Sequence, residues 1–143
     1  MKIRVLIFDD EDMIRALFKI ALKDKGYEIF DSATPASCPV YQNPECDCPL
    51  NEMCADIIIS DIRMPEVNGL QFVKEQKKKG CKVTNIVLIS AFVDKAIEKE
   101  ATDMGCKILR KPFHIDELLA VLEEFEKNID PNRTLAPWDE IGD

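Results

Sequence analysis

The 143 residues suffice for one domain, with a core that needs neither metal nor disulfides to hold it. With 46% hydrophobic and 32% charged residues but only 5 Gly and 8 Pro, the composition excludes a disordered or fibrous chain. A net charge of −8, from 19 basic and 27 acidic residues, disfavours phosphate backbones as partners, and the single histidine disfavours His-rich metal centres and a Ser-His-Asp hydrolase. No apolar run nears the roughly 18 residues of a membrane span. Met1–Arg4 lead straight into an apolar segment rather than a signal peptide, so a cytoplasmic protein is expected.

Ile3–Phe8 is an almost continuous apolar run that predicts a strand buried on both faces, and two aspartates, Asp9 and Asp10, follow it. Ile14, Leu17, Phe18, Ala21 and Leu22 recur at helical spacing until Gly26. Tyr27–Phe30 reads as a second strand, Ile57–Ser60 as a third and Ile86–Ile89 as a fourth, with a helix over 69–79 between the last two. Val93, Ile97, Ala101 and Met104 share one face of the next helix, which stops at Gly105. A short strand, Lys107–Arg110, precedes Pro112, and Ile115, Leu118, Leu119, Leu122 and Phe125 mark a last amphipathic helix. Strands alternating with helices imply parallel pairing through right-handed crossovers. The expected fold is α/β: five parallel strands with helices on both faces. Residues 34–54 break the rhythm, with four prolines and four cysteines and no helical face, and make an irregular Cys-rich crossover between strands two and three. The domain is expected to span 1–127, with 128–143 a tail that carries Trp138.

In an open parallel sheet, ligands bind beyond the carboxyl ends of the strands. Asp9 and Asp10 follow strand one, Asp61 strand three, Ser90 strand four and Lys111 strand five. Gathered carboxylates repel and call for a cation, and oxygen ligands of this kind suit Mg²⁺. An ammonium and a hydroxyl beside them supply what a phosphoryl group requires. One such aspartate alone would be unremarkable in so acidic a chain; the ordered set is not.

Phe8-Asp9-Asp10-Glu11, Asp61-Ile62-Arg63-Met64-Pro65 with Gly69, Ser90-Ala91 and Lys111-Pro112-Phe113 together resemble the CheY-like receiver domain of two-component response regulators, from about Lys2 to Lys127. The resemblance implies a flavodoxin-like strand order 2-1-3-4-5 and phosphoryl transfer from a histidine kinase or a histidine phosphotransfer protein. It implies Asp61 as phosphoacceptor, with Asp9, Asp10, Asp61 and the Arg63 backbone carbonyl around Mg²⁺. Lys111, Ser90 and Ala91 would bind or respond to the phosphoryl group, and a cis peptide would precede Pro112. Ile108 departs from the family, which carries Tyr or Phe at this switch position. Arg63 and Phe92 should flank the acyl phosphate and hinder its hydrolysis.

Cys38, Cys46, Cys48 and Cys54 could hold Zn²⁺, form disulfides or remain thiols; without paired C-x2-C knuckles the spacing does not choose. Cys81 and Cys106 precede neighbouring strands and read as small buried side chains rather than a redox pair. His114 sits where the last helix starts, a structural place rather than a relay. The reading is a stand-alone receiver, a monomer or weak homodimer, that is not an enzyme and signals through an unidentified protein partner. It has two rivals. Asp10-Glu11-Asp12 is formally the Asp-x-Asp of a haloacid-dehalogenase-like phosphatase, and the Cys-rich loop could make a metal or redox sensor.

Overall fold

Side chains leave a strand alternately to its two faces, so a run such as Arg4–Phe8 can serve two cores at once. The computed structural model, which describes residues 2–34, 52–64 and 68–135, shows it doing so. In chain order the elements are β1 (Arg4–Phe8), α1 (Asp12–Asp24), β2 (Glu28–Ser32), β3 (Glu52–Met53), β4 (Ile57–Asp61), α2 (Gly69–Lys78), β5 (Asn85–Ser90), α3 (Lys95–Asp103), β6 (Lys107–Arg110), α4 (Ile115–Glu126) and β7 (Thr134–Leu135). Leu6, Phe8, Ile58, Ile86 and Leu88 face Phe72 and Val73 of α2 and Ala101 of α3. Val5, Ile7, Ile57, Ile59, Val87 and Ile89 face Phe18 and Leu22 of α1 and Leu118, Leu122 and Phe125 of α4. Two layers of helix thus cover one sheet.

That sheet runs β2-β1-β4-β5-β6, all parallel. Counting its own five strands only, the order is 2-1-3-4-5, as expected. Its register pairs Phe8 with Ser60, Asp61 with Ile89 and Ser90 with Arg110, so the residues that follow all four strands emerge at one edge. Expected boundaries shift by one or two residues: β2 starts at Glu28 rather than Tyr27, and β5 takes in Asn85 and Ser90.

Helix ends follow local chemistry. The Asn68 side chain accepts from the Gln71 N–H at 2.7 Å and Asp94 accepts from the Ile97 N–H at 2.8 Å, each capping the helix it precedes. Beyond the end of α1 comes Gly26, whose φ of +82° suits a residue without Cβ. β3 and β7 pair in parallel as a second, two-stranded sheet, so residues 134–135, expected in the tail, lie beside the end of the second crossover. The irregular stretch itself, including Cys38, Cys46 and Cys48, lies outside the described residues, as does Trp138. No helix among the described residues is long and apolar enough to cross a membrane.

Candidate functional site

The carboxyl edge of the sheet gathers side chains from three strand ends into one pocket. Asp61, the last residue of β4, is buried. Its Oδ1 accepts from the Arg63 N–H at 3.2 Å, and its Oδ2 accepts from the Lys111 ammonium at 3.0 Å. Lys111 arrives there because its own N–H donates to the Ser90 carbonyl at 2.9 Å, which extends the β5–β6 ladder by one residue. Asp9 lies across from them, 1% exposed, with its Oδ1 accepting from the Glu11 N–H at 2.8 Å. The Lys111 Nζ stands 3.8 Å from Asp9 Oδ2 and 3.7 Å from Glu11 Oε1. One ammonium therefore faces three carboxylates.

The electrostatics follow from this count. Burial raises the Asp9 carboxyl above its usual range, and repulsion from Asp61 and Glu11 adds to it, although the Glu11 N–H and Lys111 pull the other way. For Lys111, burial acts to lower the ammonium, but the Asp61 hydrogen bond and the charges of Asp61, Asp9 and Glu11 outweigh it, and the net direction is up. Lys111 stays charged at neutral pH.

One carboxylate oxygen from each of Asp9, Asp10, Glu11 and Asp61 lies within 4.8 Å of the other three. Asp9 Oδ2 is buried and has no hydrogen-bond partner among the described residues. A buried anionic oxygen without a donor is costly, and a hard cation held by oxygen ligands is the group that would satisfy it. The donor set fits Mg²⁺. Asp12, the second aspartate of the Asp-x-Asp rival, is not among the four oxygens and instead accepts from Arg15 Nη2 at 2.5 Å.

Gly69 makes the pocket possible from below. A Cβ there would sit 2.4 Å from the Asp61 carbonyl oxygen and 3.1 Å from the Ile62 Cα, so only glycine lets α2 start this close. Its N–H donates to the Ile62 carbonyl at 2.8 Å.

Ser90, the last residue of β5, is buried and turned into its own loop: its hydroxyl donates to the Phe92 carbonyl at 2.9 Å and accepts from the Phe92 N–H at 3.2 Å. That turn presents the half-exposed Phe92 ring, and the Arg63 guanidinium lies over it at 5.3 Å. The two bulky side chains expected to flank Asp61 thus meet each other. Ala91 is exposed beside an apolar cavity of about 380 Å³, lined also by Ile14, Leu17, Phe18, Pro112 and Phe113. The Lys111–Pro112 peptide is cis, as expected. Ile108 is half-buried against the core that Leu88 and Ala101 share.

Comparison with known proteins agrees. The family model for the response regulator receiver domain matches residues 5–123. The chain belongs to this family. Over 125 residues the receiver is 32% identical to the chemotaxis protein CheY of Thermotoga maritima, covering 87% of this chain and 98% of that protein. It is 33% identical over 121 residues to a probable transcriptional regulatory protein of Picosynechococcus, covering 83% of this chain but 47% of that relative. The chain thus spans about half the length of that relative. Among solved structures, chemotaxis protein CheY4 of Vibrio cholerae superposes with a TM-score of 0.69 at 28% identity, over 87% of this chain and 99% of that one.

Two groups lie elsewhere. Cys54 is 1% exposed in the core among Phe8, Ala55 and Ile58, and with its three companions outside the described residues a zinc site in this loop is not supported. Cys81 and Cys106 pack against that same core, and burial raises the Cys106 thiol to about 11 against a small opposing effect of Lys77. His114 is the exposed N-cap of α4. Sequence reasoning assigned no role to Glu11, Arg15 or the Asp56–Arg133 pair. Glu11's position next to two aspartates was the only available signal; Arg15–Asp31 and Asp56–Arg133 join residues 16 and 77 apart in the chain.

Proposed function

We propose that this receiver accepts a phosphoryl group on Asp61 from the phosphohistidine of a kinase or phosphotransfer protein, in a Mg²⁺-dependent reaction, and signals by protein contact. The observation that carries the reading is the Lys111 ammonium 3.0 Å from Asp61 in a pocket with Asp9, Asp10 and Glu11. An Asp61 carboxylate oxygen attacks phosphorus in line; the bond to the donor nitrogen breaks, and its electron pair stays on the imidazole. Lys111 remains protonated and pairs with a phosphoryl oxygen, balancing charge as it moves from donor to acceptor. Asp9, Asp10, Asp61 and the Arg63 carbonyl would hold Mg²⁺, which when bound neutralises phosphoryl oxygens. Positioning and charge balance supply most of the catalysis, so the chain turns over no substrate of its own.

Met13, Leu17 and Ile20 of α1 are exposed, and Leu17 lines the apolar cavity beside Lys111, a surface suited to the helices of a phosphodonor. After transfer, the Ser90 hydroxyl would leave the Phe92 carbonyl for the phosphoryl group and draw the loop of 91–94 with it, biasing a two-state element. Ile108 is aliphatic and cannot repeat an aromatic ring's inward rotation, so the loop itself carries the change. Arg63 and Phe92, stacked at the rim, shield the acyl phosphate from water.

Incubation with acetyl phosphate and Mg²⁺ followed by intact mass is expected to add one phosphoryl group to the wild type and none to Asp61→Asn. Labelling of both, or of neither, overturns the reading. Followed in time, the same measurement is expected to show faster decay in an Arg63→Gly, Phe92→Gly variant.

A further inference from the structure

Two of the proposed cation ligands, Asp9 and Asp10, stand on one peptide, and the groups that orient that peptide lie outside the pocket. The N–H of the preceding peptide, that of Asp9, donates to the Ser32 carbonyl of β2 at 3.2 Å, and the Asp9 carbonyl, part of the shared peptide, accepts from Arg15 Nη1 at 2.6 Å. The same guanidinium donates through Nε to Asp31 Oδ2 at 3.2 Å and through Nη2 to Asp12 Oδ1 at 2.5 Å. Lys19 Nζ holds the other oxygen of Asp31 at 3.3 Å. The Arg15 side chain is only 16% exposed, so water competes weakly for these bonds. All three guanidinium nitrogens are engaged, each by a different part of the chain: the end of β2, the first turn of α1 and the loop between β1 and α1. A planar fork carries donors on three separate nitrogens and so reaches acceptors on different sides; an ammonium, with all its donors on one nitrogen, cannot hold the same spread.

We infer that Arg15 is a positioning residue for cation binding: it fixes the plane of the Asp9–Asp10 peptide so that both carboxyl groups face a common cation. The inference rests on the proposed reading of the site. Electrostatics alone predicts the opposite sign. A guanidinium beside the pocket repels a dication, so its loss should tighten binding. Loss of orientation should loosen it, because groups that orient metal ligands commonly carry about 10- to 100-fold in affinity. Lysine at this position keeps the charge and loses the fork, which separates the two effects.

The test is calorimetric Mg²⁺ titration of the full chain, wild type against Arg15→Lys and Arg15→Gln, with metal-free melting recorded for each. Both variants are expected to bind Mg²⁺ about tenfold more weakly while still melting cooperatively. Asp31→Asn, which turns the charged acceptor of Nε into a neutral one, is expected to shift affinity the same way and to add little on top of Arg15→Lys. Should Arg15→Gln fail to fold, Arg15→Lys and Asp31→Asn carry the test alone. Binding as tight as wild type or tighter in the folded variants overturns the role of Arg15 and leaves the site intact. A wild type that binds no Mg²⁺ overturns both.

Discussion

A single buried carboxyl group dominates the charge balance of the pocket. Asp9 is buried and its pKa is raised above the value near 3.9 of an unfolded aspartate. The contribution of such a group to stability is fully present below the unfolded value and is lost as pH rises through the folded one. Ionised Asp9 therefore weakens the metal-free domain at neutral pH. Asp9→Asn should melt above the wild type at pH 7 in chelator, with the gap closing as pH falls toward 4, and should lose any Mg²⁺-dependent stabilisation. A variant that melts at or below the wild type at pH 7 would contradict this. Lys111 has the opposite character: its raised pKa makes its contribution complete throughout the neutral range, to be lost only in strong alkali. At this scale the charged residues after each strand were legible in the chain, because a strand end is where an apolar run stops. The identity of each partner was not.

Elements were more readable than contacts. The helices and the five strands of the main sheet appear where helical spacing and short continuous apolar runs place them, since a helix buries one stripe and a central parallel strand both faces. Gly69 shows where that reading stops. In sequence it marks the start of α2; in space it lies against the backbone of Asp61 and Ile62. The obstacle to a larger residue is backbone, which cannot swing aside. Gly69→Ala is expected to cost about 2 kcal/mol, within the usual range for overpacking, and to slow labelling of Asp61 by acetyl phosphate. Urea denaturation and the mass assay check the two halves of that expectation. Wild-type behaviour in both would mean that α2 can retreat freely.

Across the whole molecule, the residues after α4 hold to the end of the sheet opposite the pocket. The Asp56 side chain is fully buried and accepts from Arg133 Nε at 2.8 Å, from Arg133 Nη2 at 2.6 Å and from the Arg4 N–H at 3.0 Å. Arg133 also donates to the Lys2 carbonyl at 2.7 Å, Ile129 is buried in the core beside α1 and α4, and β7 pairs with β3. These contacts continue past Lys127 as far as Leu135. Removing one partner of a buried ion pair commonly costs about 3–5 kcal/mol because the other is left uncompensated. Arg133→Ala is expected to lower stability by about 3 kcal/mol, read from the urea midpoint at constant m-value. An unchanged midpoint would make the Asp56 contacts incidental.

The alternation of strand and helix, the parallel pairing and the edge at which Asp9, Asp61, Ser90 and Lys111 emerge could be read from the chain, while the strand order came with the family resemblance. Burial imposes periodicity on sequence, and topology then leaves one edge for ligands. The pairing of Asp61 with Lys111, the three bonds of Arg15, the closeness of Gly69 to Asp61 and the hold of Arg133 on Asp56 required the folded molecule. A charged side chain destined for water and one destined for a buried partner look the same in sequence, and only the packing of distant segments tells them apart.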